Sequence, residues 1–292
     1  VKEGEWIVPG KLLGACGNSG RSAQPHVHLQ VQRSPQLGSV TEPFHLCSLL
    51  RQDGTEASEY VLNARPKAGE VLEAAVIDPR LAAPLHLPVG RQFTYRAKGS
   101  DLLLHKHYHL QVVLTLLGEF RLMSDSGASA AFQEKNGVLA FYDRQGPRDI
   151  LLDIWLLACG LTPLTESARR WRDAPSAQLF PLDLLQRIAL KALRPLGCGL
   201  DSFYQREFIA DEGIWCQRGQ HLLRLGGNVL EVNTECQIDP DLGCKNIRCC
   251  FGDRSWSAQL TELGLAGDEG VPGWHLSRDQ QERSQNRKPL EV

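Results

Sequence analysis

Two histidines separated by a single residue, His26 and His28, are the side chains in this sequence best suited to metal chemistry. Imidazole nitrogens are common ligands of zinc, and an unligated imidazole can transfer protons near neutral pH. On a β-strand, side chains alternate between faces, so an H-x-H pair places both rings on the same face. One alternative stays open: a half-buried strand whose polar face carries two histidines and no metal.

The residues around this pair predict a loop that leads into a strand. Residues 17–20, Gly-Asn-Ser-Gly, have the composition of a turn. Pro25 restricts the backbone immediately before the histidines. Val27, Leu29 and Val31 alternate with the polar residues, so we expect them to share the opposite face of the strand and to pack inward.

A longer pattern of glycine, serine and proline precedes the two histidines, and it reads V-x-x-G-x-x-I-x-x-G-x-x-L-G-x-x-G-x-S-G-x-S-x-x-P-H-x-H. Its positions are Val1, Gly4, Ile7, Gly10, Leu13, Gly14, Gly17, Ser19, Gly20, Ser22, Pro25, His26 and His28. With this pattern, residues 1–46 resemble the C-terminal half of a lysostaphin-type zinc endopeptidase domain. That family cuts the peptides of bacterial peptidoglycan.

The resemblance implies a fold, a cofactor and a set of site residues. The fold is an antiparallel β domain of the duplicated-hybrid-motif type, of which this chain would hold a part. His28 would be a zinc ligand, and His26 would act in catalysis beside the metal-bound water. The turn that lines the substrate groove would contain Asn18, Ser19, Gly20 and Ser22.

The resemblance also implies that part of the zinc site lies outside this sequence. A catalytic zinc takes about three protein ligands and keeps one position open for water. The family supplies the other two ligands, a histidine and an aspartate, from an upstream segment that includes H-x-x-x-D. We therefore expect the chain to begin midway through its peptidase domain. Zinc binding and hydrolysis would belong to the complete parent protein, and the fragment alone would be inactive.

Two other functions stay open for this first region. One is a catalytically degenerate module that regulates other cell-wall hydrolases. The other is a peptidase appendage on a bacterial urea transporter, with the membrane spans in the missing N-terminal part. All three functions point to the cell envelope or periplasm, and the substrate of the peptidase would be a peptidoglycan peptide.

The rest of the sequence predicts a mainly β protein. We expect a linker at 47–70, a β-rich domain at 71–276 and a disordered tail at 277–292. Asn136-Gly137 and Gly226-Gly227 each stand between apolar runs, which favours β-hairpins. Apolar residues at helical spacing predict a helical insert at about 165–196.

Composition narrows the possible partners. A chain of 292 residues is long enough for two domains, and its net charge of −2 gives no reason to expect nucleic-acid binding. The longest apolar run, at 150–161, is interrupted by Asp153 and is too short to span a bilayer.

Two further clusters leave alternatives open. His105, His107 and His109 share one face of an expected strand, where they suit a metal, a pH sensor or a plain solvated face. The nine cysteines include no C-x-x-C pair. Cys236, Cys244, Cys249 and Cys250 are close in sequence, and they suit either a disulfide or buried free thiols.

Overall fold

The computed structural model divides the chain into two compact units, residues 1–45 and residues 46–292. It describes residues 2, 4–8, 11–18, 23–52, 58–99, 106–182, 186, 188, 199–225 and 228–265. The boundary between His45 and Leu46 lies one residue from the domain boundary expected from the sequence.

The described part of the first unit is extended and contains one short ladder. Strands β1 (Val31–Gln32) and β2 (Thr41–Glu42) pair antiparallel, and no described residue between 24 and 32 is helical. Val27, Leu29 and Val31 do not pack inward: they are 75%, 67% and 45% exposed. The expectation of an inward face was wrong because no layer of described residues lies over these side chains.

The second unit is built on one large sheet, and the chain is mainly β, as expected. Its strands are β3 (Leu46–Gln52), β4 (Glu59–Ala64), β5 (Val71–Ala74), β6 (Arg91–Gly99), β7 (Lys106–Leu114), β8 (Phe120–Ser124), β9 (Ser129–Lys135), β10 (Val138–Gln145), β11 (Thr162–Pro163), β12 (Arg170–Asp173), β13 (Gly199–Ile209), β14 (Ile214–Leu225), β15 (Asn228–Asp239), β16 (Gly243–Phe251) and β17 (Arg254–Leu265). The helices are α1 (Pro79–Leu85), α2 (Ile150–Cys159) and a 3₁₀ turn (Ala177–Leu179).

Two antiparallel meanders form most of this sheet. Strands β6 to β10 and β13 to β17 each run in sequence order, and β17 pairs with β6 to join them. At the far end, β12 pairs antiparallel with β13 and parallel with β4. A small buried cluster unites side chains from both ends of the strand order: Leu50, Tyr60, Val138, Trp171 and Tyr204. The sheet therefore curls until its two end regions pack together.

The linker expected at 47–70 is a wrong prediction. This segment contributes β3 and β4 to the large sheet. Leu50, Tyr60 and Ala64 are buried there. The proline and glycine residues that suggested a linker mark the connections around these short strands. Burial of their apolar side chains on the sheet explains why they are ordered as strands.

The hairpin predicted at Asn136-Gly137 is confirmed. It connects β9 to β10, and both residues have positive φ, 54° and 73°. Positive φ at both central positions is the requirement of a type I′ turn, which suits asparagine and glycine. At the second hairpin, β14 and β15 pair as far as Leu225 and Asn228, and the two glycines between them lie outside the described residues.

The helical insert predicted at 165–196 is described only in part. Residues 165–182 hold β12 and the 3₁₀ turn, with no α-helix, because residues 170–173 pair with β13 in the sheet, where Trp171 is buried. Gln186 and Ile188 are helical, but 183–185, 187 and 189–198 lie outside the described residues, as does the tail at 277–292. Among the described residues, no helix has the length and apolar character needed to cross a membrane.

Helix α2 forms the centre of the second unit. Asp149 caps its N-terminus by accepting a hydrogen bond from the Leu152 N–H (3.0 Å), and all residues at 151–159 are buried. A helix that is buried on every side needs no polar face, which explains an apolar run broken only by Asp153, whose carboxylate pairs with Arg144. Trp155 packs edge-on against Phe141 with 5.0 Å between ring centroids, and its Nε1 donates to the Tyr95 hydroxyl (3.1 Å).

The C-terminal end of α2 is held by groups from the chain around it. The last four carbonyls of a helix have no partner within the helix proper, and here those of residues 156–159 all accept hydrogen bonds. In chain order, their donors are the N–H of Gly160 (2.8 Å), the hydroxyl of Tyr204 (2.8 Å), the amide of Gln217 (2.9 Å) and the hydroxyl of Thr162. Three of these donors are side chains, so the helix end depends on its surroundings.

Tyr204→Phe is expected to lower the free energy of unfolding by about 1–3 kcal/mol, because it leaves the buried Leu157 carbonyl without a donor. The stacking of this ring on Trp171, with 5.4 Å between centroids, is retained in phenylalanine. Urea unfolding measures the change. The control is Tyr142→Phe at a half-exposed position, and equal stability changes in the two variants would contradict the role given to the Tyr204 hydroxyl.

Candidate functional site

The two histidines lie close together on an extended segment of the first unit. Residues 25–30 form neither helix nor ladder, and both imidazoles are exposed. The Nε2 atoms of His26 and His28 are 2.7 Å apart, with 4.6 Å between ring centroids. The two Nε2 atoms are therefore within hydrogen-bond distance of each other.

A backbone carbonyl determines which nitrogen of His26 carries a proton. Its Nδ1 lies 2.8 Å from the carbonyl oxygen of Gln24, which can only accept, so Nδ1–H is the donor. In a neutral ring, Nε2 is then the acceptor, and His28 Nε2–H donates to it. An imidazole oriented by a backbone carbonyl is typical of histidines that bind metals or accept protons.

The histidine pair alone is too small to hold a catalytic zinc. Such an ion takes about three protein ligands. Among the residues that the structure describes, the only group of three or more His, Cys, Asp or Glu side chains with converging ligand atoms is Cys159, Cys236 and Cys244. The expected turn is visible only through Asn18, which is exposed, since Ser19, Gly20 and Ser22 lie outside the described residues.

No protein-family model matches this chain, and no similar protein was found among curated proteins or solved structures. The assignments of His26 and His28 therefore rest on the sequence pattern and on the local geometry. These comparisons assign neither unit to a family.

The second histidine cluster lies on the exposed face of β7. His107 and His109 are both exposed, and His109 Nδ1 is 3.0 Å from the Thr94 hydroxyl on β6. His105 lies outside the described residues. The part of the cluster that is described fits a solvated strand face, and it belongs to no metal-binding group among the described residues.

The four clustered cysteines separate in the structure, and a fifth, distant cysteine joins two of them. Cys236 and Cys244 face the interior beside Cys159 at the end of α2, whereas Cys249 is buried elsewhere and Cys250 is exposed. All described cysteines are free thiols. Burial raises the pKa of the Cys159 thiol well above its ordinary value. The sequence had no signal for Cys159, which is separated from Cys236 by 77 residues.

The acidic residues near α2 stabilise the fold. Asp149 caps the helix, and Asp143 pairs with Arg121 at 2.9 Å. Burial raises the pKa of Asp153 to about 6, and Arg144, at 2.7 Å, opposes that rise. Each carboxylate is engaged by the chain itself, so these groups do not form an acid–base pair for a substrate.

His221, which sequence reasoning missed, is fully buried in the sheet between two hydroxyl groups. Its Nδ1 is 2.7 Å from Ser202 Oγ and its Nε2 is 2.8 Å from Thr234 Oγ1. Burial lowers the pKa of His221 from 6.5 to about 4. The ring is therefore neutral in the folded protein at neutral pH, and its position argues for a structural role.

Burial of His221 predicts a loss of stability in acid. Because its folded-state pKa lies below the ordinary value, the unfolded chain binds the proton first, and stability falls as the pH drops from about 6.5 to about 4. Between about pH 7 and pH 5 the loss from this residue is about 2 kcal/mol. His221→Gln is expected to abolish this contribution to the pH dependence of the free energy of unfolding. Urea unfolding of both proteins at both pH values measures the effect, and identical pH dependence would contradict it.

Proposed function

We propose that the first unit is the C-terminal half of a zinc endopeptidase domain that hydrolyses peptide bonds in bacterial peptidoglycan. The convergence of the His26 and His28 ring nitrogens, 2.7 Å apart, is the observation that carries this proposal. The thirteen positions of the lysostaphin-type pattern support the same reading.

The two histidines take different roles in this proposal. Zinc, when bound, makes hydroxide available at neutral pH and polarises a carbonyl. His28 contributes one ligand through its ring nitrogen. His26 stays unligated: its Nδ1–H is held by the Gln24 carbonyl, which leaves Nε2 to hydrogen-bond the attacking water or the developing oxyanion.

The exposed apolar side chains of the first unit support a packing partner for this region. Ile7, Leu13, Val27 and Leu29 are all exposed. Large apolar side chains that stay exposed at several positions are typical of regions that another segment covers. We propose that the other half of the peptidase domain, with its histidine and aspartate ligands, packs on these side chains in the cell envelope or periplasm.

Zinc-dependent hydrolysis tests the proposal. The protein extended upstream through the complete peptidase domain is incubated with purified peptidoglycan, and newly formed amino groups are counted. We expect release that a chelator abolishes and added zinc restores, because the nucleophile depends on the metal. The matched control is the 292-residue chain alone, which is expected to release nothing.

Other outcomes separate the remaining functions. Absence of zinc-dependent release by the extended protein would contradict the peptidase. If that protein instead raised the activity of another cell-wall hydrolase, it would be a regulatory module. Membrane spans of a urea transporter upstream of the peptidase domain would make the active domain an appendage on that transporter.

A further inference from the structure

Three cysteine sulfurs meet in the core of the second unit. The Sγ of Cys159 is 3.7 Å from that of Cys236 and 3.1 Å from that of Cys244, and all three lie within 4.8 Å of one another. Thiolates around a tetrahedral zinc are separated by ~3.8 Å, given Zn–S bonds of ~2.3 Å. The spacing of the three sulfurs therefore fits ligands of a single metal ion.

The three residues come from separate elements that the fold holds in place. Cys159 is the last residue of α2, Cys236 lies on β15 and Cys244 on β16. The Tyr95 hydroxyl donates to the Cys244 carbonyl at 2.7 Å, which fixes the backbone there. All three cysteines are buried, with exposures of 2% or less for two of them and 3% for Cys244.

A β-bulge turns Cys244 toward this point. Ile238 on β15 faces the interior and pairs with Cys244, whereas an unbroken register would pair it with Lys245. The extra residue keeps Lys245 out of the core. The lysine Nζ instead lies 3.2 Å from the Asp239 carboxylate. Bulges recur where a sheet must re-aim a side chain at a functional site.

A fourth potential ligand lies beside the cysteines. Gln217 on β14 is directly opposite Cys236, so the two side chains share the inner face with their Cβ atoms about 5 Å apart. The Gln217 Nε2 donates to the Ala158 carbonyl, next to Cys159. Its Oε1 is buried and has no hydrogen-bond partner, which is costly for a side chain that is 1% exposed.

We propose that Cys159, Cys236 and Cys244 bind one zinc ion, with the Gln217 amide oxygen as the fourth ligand. Binding deprotonates the three thiols and releases their protons to solvent, and the site keeps one net negative charge. A Cys159–Cys244 disulfide would use only two sulfurs and would leave Cys236 and Gln217 Oε1 without partners. The metal uses all four groups.

The site is closed, so its role is structural. All four positions of a tetrahedral zinc are filled by protein atoms, and none is left for water or substrate. The ion would connect the end of α2 to β14, β15 and β16, and it would enter as the chain folds. This site is separate from the histidine pair and does not depend on the proposed peptidase.

Metal analysis of the full chain tests this site. His26→Ala/His28→Ala serves as the background, so that any zinc comes from elsewhere, and the protein is refolded with zinc under reducing conditions. We expect about one zinc per chain, and less than about a tenth of that after Cys159→Ser. The matched control is Cys249→Ser, which changes a buried cysteine outside the cluster and is expected to retain the zinc.

Zinc X-ray absorption of the unmutated cluster keeps the test independent of whether Cys159→Ser folds. We expect about three sulfur ligands at ~2.3 Å and one oxygen at ~2.0–2.2 Å. In the cobalt-substituted protein, Gln217→Leu is expected to shift the ligand-field bands, since the fourth donor changes. The proposal would be overturned if the chain, refolded in the presence of zinc, contained no bound zinc. A Cys159–Cys244 disulfide detected by mass spectrometry would also overturn it.

Discussion

Replacing His28 by alanine is expected to remove zinc and hydrolysis together from the protein that carries the complete peptidase domain. A catalytic zinc has about three protein ligands, so the loss of one removes a large share of the binding free energy. Mutation of a residue that merely hydrogen-bonds a ligand weakens metal binding roughly 10–100-fold, and loss of the ligand itself should exceed that. Zinc per chain and amino-group release are measured on the same sample.

The exposed His45 in the same unit provides the matched control. His45→Ala is expected to retain zinc and activity. If His28→Ala kept normal zinc content and full activity, His28 would not be a ligand, and the pair would be only a polar segment of the surface.

Replacing His26 by alanine is expected to separate metal binding from catalysis. Its Nδ1–H is held by Gln24, and its Nε2 faces the ring nitrogen of His28 at 2.7 Å. In the zinc protein, the Nε2 of His26 is placed to contact the attacking water. We expect near-normal zinc content and a rate lower by on the order of a hundredfold, the size of positioned acid–base or oxyanion assistance.

The pH dependence of the residual rate gives a second readout for His26. An imidazole that transfers a proton imposes its own ionisation on the rate, and the alanine variant should lose that limb of the profile. Loss of zinc in His26→Ala would instead make both histidines ligands. An unchanged rate and pH profile would exclude a catalytic role for His26.

Local features of the fold could be predicted from the sequence. Positive φ at Asn136 and Gly137 is a preference of those two residues alone, so their hairpin was predictable. The same holds for the mainly β character, which follows from alternating side chains over short segments.

Features that depend on distant contacts could not be predicted. Helix α2 has no helical periodicity in its sequence, with Asp153 as its only charged residue, because the sheet and the elements around it bury every face. Strand β4 pairs in parallel with β12, about a hundred residues later in the chain, so the segment at 47–70 resembled a linker when considered by itself.

The two candidate sites differ in the same way. The histidine pair could be predicted because its members are neighbours in the chain, although the hydrogen bond from His26 to Gln24 needed coordinates. The cysteine cluster could not, since Cys159 approaches Cys244 only after α2 packs on β15 and β16, across 85 residues of chain. Cys249 and Cys250 are close to Cys244 in sequence, but neither joins the cluster: Cys249 is buried elsewhere and Cys250 is exposed.

The cadmium NMR spectrum of the complete, cadmium-exchanged protein tests the central claim most directly, because the cadmium shift separates nitrogen and oxygen ligands from thiolates. The account predicts a shielded signal from the His28 site, which is lost in His28→Ala and retained in His26→Ala. A second, strongly deshielded signal is expected from the cysteine cluster, unchanged in both variants. A spectrum without the shielded signal would contradict the zinc peptidase, whatever the thiolate signal shows.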